Sequence, residues 1–317
     1  MFIKNFKQLS KKDVAIAGGK GASLGEMTRA GIQVPPGFVV LADAFDEFLT
    51  ASDLNTEVAT KLKRVNLKDI NSVDRASNEI RDLILDAEFP KKLGREILKE
   101  FPKLKARLVA VRSSATAEDS SVASWAGELE TYLNTTRATL LENVKKCWAS
   151  LFTPRAIFYR FEKKMQKTKV SVAVVVQAMI QSEVSGICFT VHPVTKDRNQ
   201  MVIESGWGLG EAIVGGKITP DTYIIDKSKI SLQPDQSITD KNISRQEMMI
   251  VRAASGLKEI TVPKAKQEIQ KLADRQILAL AKICLQIENH YGTPQDIEWA
   301  LAKGKLYITQ SRPITTL

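Results

Sequence analysis

Near the C-terminal end of the sequence, the stretch QDIEWALAKGKLYITQSRP carries Asp296, Glu298, Gln310 and Arg312 within two short runs of apolar residues. Carboxylates and an amide accept hydrogen bonds or bind hard cations, and an arginine grips anions. What these groups can do depends on whether they meet. The stretch reads as a β-hairpin. Side chains alternate along a strand, so Asp296, Glu298 and Ala300 share one face and Ile297, Trp299 and Leu301 the other. On the returning strand Leu306, Ile308, Gln310 and Arg312 share a face. A three-residue loop around Lys303-Gly304-Lys305 would set Glu298 opposite Gln310 and Asp296 opposite Arg312. A two-residue loop would shift the register by one and send the two polar sets to opposite faces. Taken alone, the hairpin favours a solvated face whose cross-strand pairs contribute roughly 0.2–1 kcal/mol each.

Other segments offer related chemistry. GGKGASLGEM, Gly18 to Met27, sets Lys20 among glycines just before a helix, where backbone and helix-start amides can approach phosphate oxygens. The spacing is not the Walker pattern, and a plain Gly-rich turn is the commoner meaning. AVRSSATAEDS ends a strand on Arg112, suited to a bidentate grip on phosphate or to a surface ion pair. In WAGELETYL, Gly127 would let a loop close over a ligand and Thr131 could donate to a phosphate. ESGWGLGEAIVGG has dinucleotide-like glycine spacing without the strands of a dinucleotide fold. Gln177 to Ile180 leaves a buried strand and offers a backbone edge to an adenine, at Gln177 and Met179.

The elements that position these groups follow from periodicity. Strands are expected at Phe38–Leu41, Leu108–Arg112, in ELETYLN and VSVAVVVQAMI, and in VSGICFTV, MVIESG and DTYIID. Helices are expected from Ala42 to about Thr50, from about Val73 to Ile84, and after Asn134-Thr135-Thr136 as a cap, with Leu140, Leu141, Val144, Cys147 and Leu151 on one stripe. A single helix is expected from about Lys266 to His290, running through Ile269, Leu272 and Ile277 and stopped at Gly292. Lys227 to Val262 has no readable period.

With 317 residues, 44% hydrophobic, the chain has material for about two domains with ample core. No apolar run is long enough to span a membrane, and the N-terminus lacks a signal-peptide core, so a cytoplasmic location and no membrane partner are expected. Three cysteines without metal-type spacing fit a reducing compartment. Lys and Arg exceed Asp and Glu by 46 to 36, a net charge of +10. That charge favours anionic partners, and its even spread favours a small phosphorylated ligand over nucleic acid. Only His192 and His290 could supply an imidazole.

Together, GGKGASLGEM, VPPGFVV, VRSSATAEDS, SWAGELETYLN, SGICFTVHPVT, GLGEAIVGGKITPD and DIEWA…YITQSRP resemble the nucleotide-binding region of the phosphoenolpyruvate synthase and pyruvate phosphate dikinase family, across essentially the whole chain. Rifampicin phosphotransferases share this region. The resemblance implies an α+β or α/β chain with an ATP-grasp fold: one subdomain at 1–178, a second at 179–317, and the nucleotide between them. It implies that Lys20 and Arg112 hold ATP phosphates and that Gly127 and Thr131 belong to a loop over the nucleotide. Glu298 and Gln310 would bind Mg²⁺, or Mn²⁺, or the nucleotide beside it, and Asp296 would be a further metal partner. Arg312 would stabilise the transferring phosphoryl group. In the family, ATP phosphorylates a histidine on a mobile carrier, which passes the phosphoryl group to pyruvate on a third domain. Neither His192 nor His290 lies in the carrier's Thr-Cys-His context, so the carrier and the pyruvate-binding domain are expected in trans or in a longer parent chain.

Overall fold

The computed structural model describes residues 1–116, 130–163, 171–253 and 256–315. The chain divides into two compact units, Met1–Arg29 with Pro36–Met179, and Ala30–Pro35 with Ile180–Leu317. Both are mixed α/β, and every sheet pairing among the described residues is antiparallel.

The first unit holds β1 (Ile3–Asn5), β2 (Gly37–Val40), β3 (Val109–Ala115), β4 (Thr131–Thr135) and β5 (Val172–Ala178), in the spatial order β1-β2-β5-β3-β4. Its helices are α1 (Val14–Arg29), α2 (Ala42–Ala51), α3 (Asn55–Lys63), α4 (Ile70–Asp86), α5 (Lys91–Glu100), α6 (Leu140–Ala149) and α7 (Pro154–Glu162). β5, Val-Ala-Val-Val-Val-Gln-Ala, is buried along its whole length, as a central strand covered on both faces must be. One face sends Val109 and Val111 of β3 and Val174 and Val176 of β5 into a core with Phe48 and Trp148. The other face carries Ala110, Arg112, Ser114 and Gln177, and α1 lies against it.

α2 and α4 run close to the expected spans. α6 does not begin as expected. Thr135 is drawn into β4 opposite Val109, where its hydroxyl accepts from Asn143, and the helix starts after Thr139 with no side-chain cap. Sheet pairing outcompetes the capping role that the sequence offers.

The second unit holds β6 (Val184–Phe189), β7 (Gln200–Trp207), α8 (Glu211–Val214), β8 (Asp221–Asp226), β9 (Ile238–Asn242), β10 (Met248–Arg252), β11 (Leu257–Thr261), α9 (Asp274–Tyr291), β12 (Gln295–Ala302) and β13 (Lys305–Pro313). Six strands form a sheet in the order β13-β12-β6-β7-β8-β9, while β10 and β11 form a separate ribbon. The unreadable region after Lys227 thus becomes β9 and this ribbon. α9 buries Ile277, Leu280, Cys284 and Ile287, and its Cys284 meets Cys188 on the face that also holds Ile297 and Ile203. The opposite face is left to Asp296, Glu298 and their neighbours.

α9 starts at Asp274, eight residues later than the expected Lys266. Lys264–Lys266 is an isolated 3-10 turn after Pro263, and the backbone N–H of Lys271 is committed to Asp221. Ile269, expected on the buried stripe, is 48% exposed. Gly292 closes the helix in the left-handed conformation at φ 70°. Among the described residues, no helix is long and apolar enough to cross a membrane.

Candidate functional site

In the first unit, the glycine-rich motif is built into α1. Gly18 breaks the helix at φ 68°, ψ 171°, a conformation open essentially only to glycine, and Lys20 falls in the first turn beyond the break. Ser114 of β3 ties the break to the sheet: its hydroxyl donates to the Ala17 carbonyl at 3.0 Å and accepts from the Gly21 N–H at 3.3 Å. A Cβ at Gly18 would sit 2.2 Å from that hydroxyl oxygen, and one at Gly25 would sit 2.5 Å from Leu9. These two glycines therefore serve close packing of α1, a role that the phosphate reading of the motif did not anticipate. Its consequence is to hold the Lys20 turn against the strand that carries Arg112.

Arg112 is only 9% exposed and donates from Nη1 to Gln177 Oε1 at 3.3 Å. Thr131 pairs opposite Arg112 across β3 and β4 and is exposed. Met179 donates its backbone N–H to the Leu108 carbonyl at 3.1 Å, and its sulfur accepts from the Asn134 N–H at 2.9 Å. That N–H is thus committed to the sheet, so an adenine contact at this edge must use other atoms. Gly127 lies outside the described residues. Beyond this cluster, burial pushes the Cys147 thiol well above its ordinary range, the Glu130 carboxylate adds to the shift, and the charge of Lys20 opposes it.

In the second unit, the hairpin turn is two residues long: Ala302 pairs with Lys305, and Lys303 and Gly304 take φ values of 50° and 72°. Positive φ at both central residues is the turn that matches the twist of a hairpin. By parity alone, this turn would separate the polar sets. A β-bulge reverses that outcome. Trp299 pairs with Ile308 but Glu298 pairs with Gln310, so Thr309 is the extra residue on β13. The bulge also overturns the expectation that Ile308 shares a face with Gln310. Ile308 opposes Trp299 and is buried, and its N–H donates to the Gln33 carbonyl at 2.9 Å.

The four polar residues so assembled pair across the hairpin. Gln310 Nε2 donates to Glu298 Oε1 at 3.1 Å, and Arg312 donates from Nε and Nη2 to the single oxygen Asp296 Oδ2 at 2.9 and 2.7 Å. Across the sheet, Ile187 of β6 opposes Glu298 and Glu204 of β7 opposes Ile187, which puts Glu204 on the same face. Burial, and next the Asp296 charge, hold the Glu204 carboxyl above its ordinary range. Sequence reasoning passed over Glu204. The signal was available, since it is the only charged residue of β7 and directly follows the apolar run of Met201, Val202 and Ile203. Among the described residues, no three His, Cys, Asp or Glu side chains converge as a metal site.

The two histidines stand in other elements. His192 Nδ1 accepts the N–H groups of Val194 and Thr195 at 3.3 and 3.2 Å, which ties it into its own turn. His290 lies in the last turn of α9, edge-on to Tyr291.

Residues 14–317 match the family described as pyruvate phosphate dikinase, AMP/ATP-binding domain. The chain is 47% identical to a probable phosphoenolpyruvate synthase of Methanocaldococcus jannaschii, over 100% of this chain and 27% of that protein. It is 45% identical to a probable phosphoenolpyruvate synthase of Methanothermobacter thermautotrophicus, over 100% of this chain and 46% of that one. It is also 38% identical to the rifampicin phosphotransferase of Bacillus subtilis, over 98% of this chain and 35% of that protein. The chain thus spans less than half the length of each of these relatives.

Proposed function

Because the chain belongs to the pyruvate phosphate dikinase AMP/ATP-binding domain family, we propose that it is the ATP-handling part of a phosphoenolpyruvate synthase-type dikinase with an ATP-grasp fold. The complete reaction in this reading converts ATP, pyruvate and water to AMP, phosphoenolpyruvate and phosphate. A histidine on a carrier domain relays the phosphoryl group, and carrier and pyruvate site belong to domains in trans or in a longer parent chain.

The observation that supports this reading best is the bulged hairpin, which sets Glu298 against Gln310 and Asp296 against Arg312 on one face. Their oxygens suit a hard cation. With fewer than three convergent acidic ligands among the described residues, a cation here would complete its shell from phosphate and water oxygens, the usual habit of Mg²⁺. Bound Mg²⁺, or Mn²⁺, would neutralise phosphate charge and orient the polyphosphate chain. Arg312, 41% exposed at its side chain, would turn from Asp296 toward a transferring phosphoryl group, where arginines contribute roughly 10³-fold or more in other enzymes. Lys20 and Arg112 would grip the phosphates. Thr131, Gln177 and Met179 would contact the nucleotide, and Gly127 would belong to the loop over it.

The test is calorimetric titration with a non-hydrolysable ATP analogue and Mg²⁺, for the parent chain and for Arg312→Ala and Glu298→Ala. Saturable binding that weakens in both variants is the expected result. A folded parent chain that binds nothing would remove this reading in favour of a protein without turnover.

A second reading follows from the 38% identity to the Bacillus subtilis rifampicin phosphotransferase. There the same ATP half-reaction would serve an antibiotic acceptor. Assaying the complete protein for phosphoenolpyruvate against phosphorylated rifampicin separates the two.

A further inference from the structure

Several described residues have buried side-chain polar atoms without a hydrogen-bond partner, and among them Asn134 alone leaves both atoms of its amide unbonded. It stands at a bulge in β4: Val109 pairs with Thr135 and Val111 with Tyr132, so Leu133 and Asn134 are set against Ala110 alone. Its φ is 53°, and its backbone N–H donates to Met179 Sδ at 2.9 Å. Asparagine tolerates such a φ better than most residues, which accounts for the backbone. It does not account for a buried donor and acceptor with nothing to bond, an arrangement that folded proteins complete with an ordered water or a ligand.

A second unbonded group stands on the strand at the other side of Ala110. Gln177, two residues before Met179 on β5, is 3% exposed, and its Nε2 has no partner. Arg112 can only donate, so its hydrogen bond to Gln177 Oε1 fixes the amide with Nε2 as a dedicated donor. Among the described residues, the two strands that flank Ala110 of β3 thus carry one acceptor and two donors without protein partners, Asn134 on one side and Gln177, bonded to Arg112, on the other.

We propose that Asn134 reads the purine base of the bound nucleotide, with Oδ1 accepting from the adenine 6-amino group and Nδ2 donating to N7. This inference rests on the nucleotide-binding reading above. An asparagine amide matches that edge of adenine, whereas guanine presents two acceptors there, which one amide cannot satisfy together. The chain therefore selects ATP over GTP through this residue.

The discriminating variant is Asn134→Gly, which suits the positive φ but carries no amide. The full chain and this variant are titrated with ATP and with GTP, and their melting temperatures compared. The expected result is an unchanged melting temperature, about tenfold or greater loss of ATP affinity, and a narrowed preference for ATP over GTP. Parental ATP affinity in Asn134→Gly would overturn the proposal and leave Asn134 as a bulge former only. A parent that binds ATP and GTP equally would overturn it too. A parent that binds neither would bring down the nucleotide reading, and this inference with it. Should Asn134→Gly fail to fold, Asn134→Asp retains the shape but replaces the donor with an acceptor, and the same loss of ATP affinity is expected.

Discussion

Gln177 accepts a hydrogen bond from the Arg112 guanidinium at 3.3 Å inside the first unit, with both side chains largely shielded from water. The neutral amide orients the guanidinium without cancelling its charge. If that charge serves phosphate, a carboxylate in the amide's place should be worse than no side chain at all. Gln177→Glu is expected to weaken ATP binding by about tenfold or more, because a buried ion pair competes with the phosphate. Gln177→Ala should cost only a few-fold by the same reasoning. Calorimetric titration ranks them, and equal affinities would disprove a phosphate role for Arg112.

The break in α1 depends on a missing side chain. Gly18→Ala must accommodate a Cβ 2.2 Å from Ser114 Oγ and 2.3 Å from its carbonyl oxygen, at a φ of 68°. Backbone strain and overpacking together predict a loss of roughly 3 kcal/mol or more. Gly31 also has a positive φ, 77°, but nothing lies within 4 Å of its would-be Cβ. Gly31→Ala should therefore show the backbone penalty alone, about 1 kcal/mol. Urea unfolding of the two variants checks the contrast, and similar losses would show that packing against Ser114 is unimportant.

In the second unit, Lys271 Nζ meets Asp221 Oδ1 at 2.8 Å with both side chains 0% exposed. Asp221 also accepts from Tyr223 Oη at 2.8 Å and from the N–H groups of Ser244 and Lys271. Lys271→Met strands a buried carboxylate and should destabilise the protein by about 3–5 kcal/mol. Adding Asp221→Asn removes the stranded charge, so the double variant should be more stable than Lys271→Met alone. Denaturant unfolding of the three proteins reads the coupling, and strictly additive losses would argue against it.

Glu204 should give the hairpin face a pH-dependent stability. Its carboxyl is raised by burial and by the Asp296 charge, so the folded state keeps a proton that the unfolded chain has already released. This contribution to stability is complete below the ordinary Glu range and is lost as pH rises through the raised value. Glu204→Gln should match the parent near about pH 4 and melt higher than it near about pH 8. Melting curves at the two values test the sign. A variant less stable than the parent at the higher pH would mean that the ionised carboxylate is welcome on that face.

Much of this arrangement was legible from residue order. The Val-rich run of β5, the stripe of α4 and the stop at Gly292 each follow from local periodicity and backbone preference, which short-range sterics enforce. Others failed where tertiary partners intervened. Thr135 gave up its capping role to pair with Val109, and Lys271 was withdrawn from the expected helix by Asp221. Glu204 escaped notice because its importance lies two strands away from Glu298, a relation that sheet order creates.

The hairpin separates the two kinds of information most sharply. Alternation along β12 was enough to place Asp296 and Glu298 on one face, and the chemistry of the four polar residues was evident from their types. Whether they meet was not decided there. A two-residue turn at Lys303-Gly304 would have parted them, and only the extra residue Thr309 brings Gln310 and Arg312 round to the acids. Parity in a β-ladder is a property of both strands and every bulge between them, so a single unpaired residue inverts it. The sequence by itself determined the polar groups and the strand on which each stands, and the tertiary structure decided which face they share.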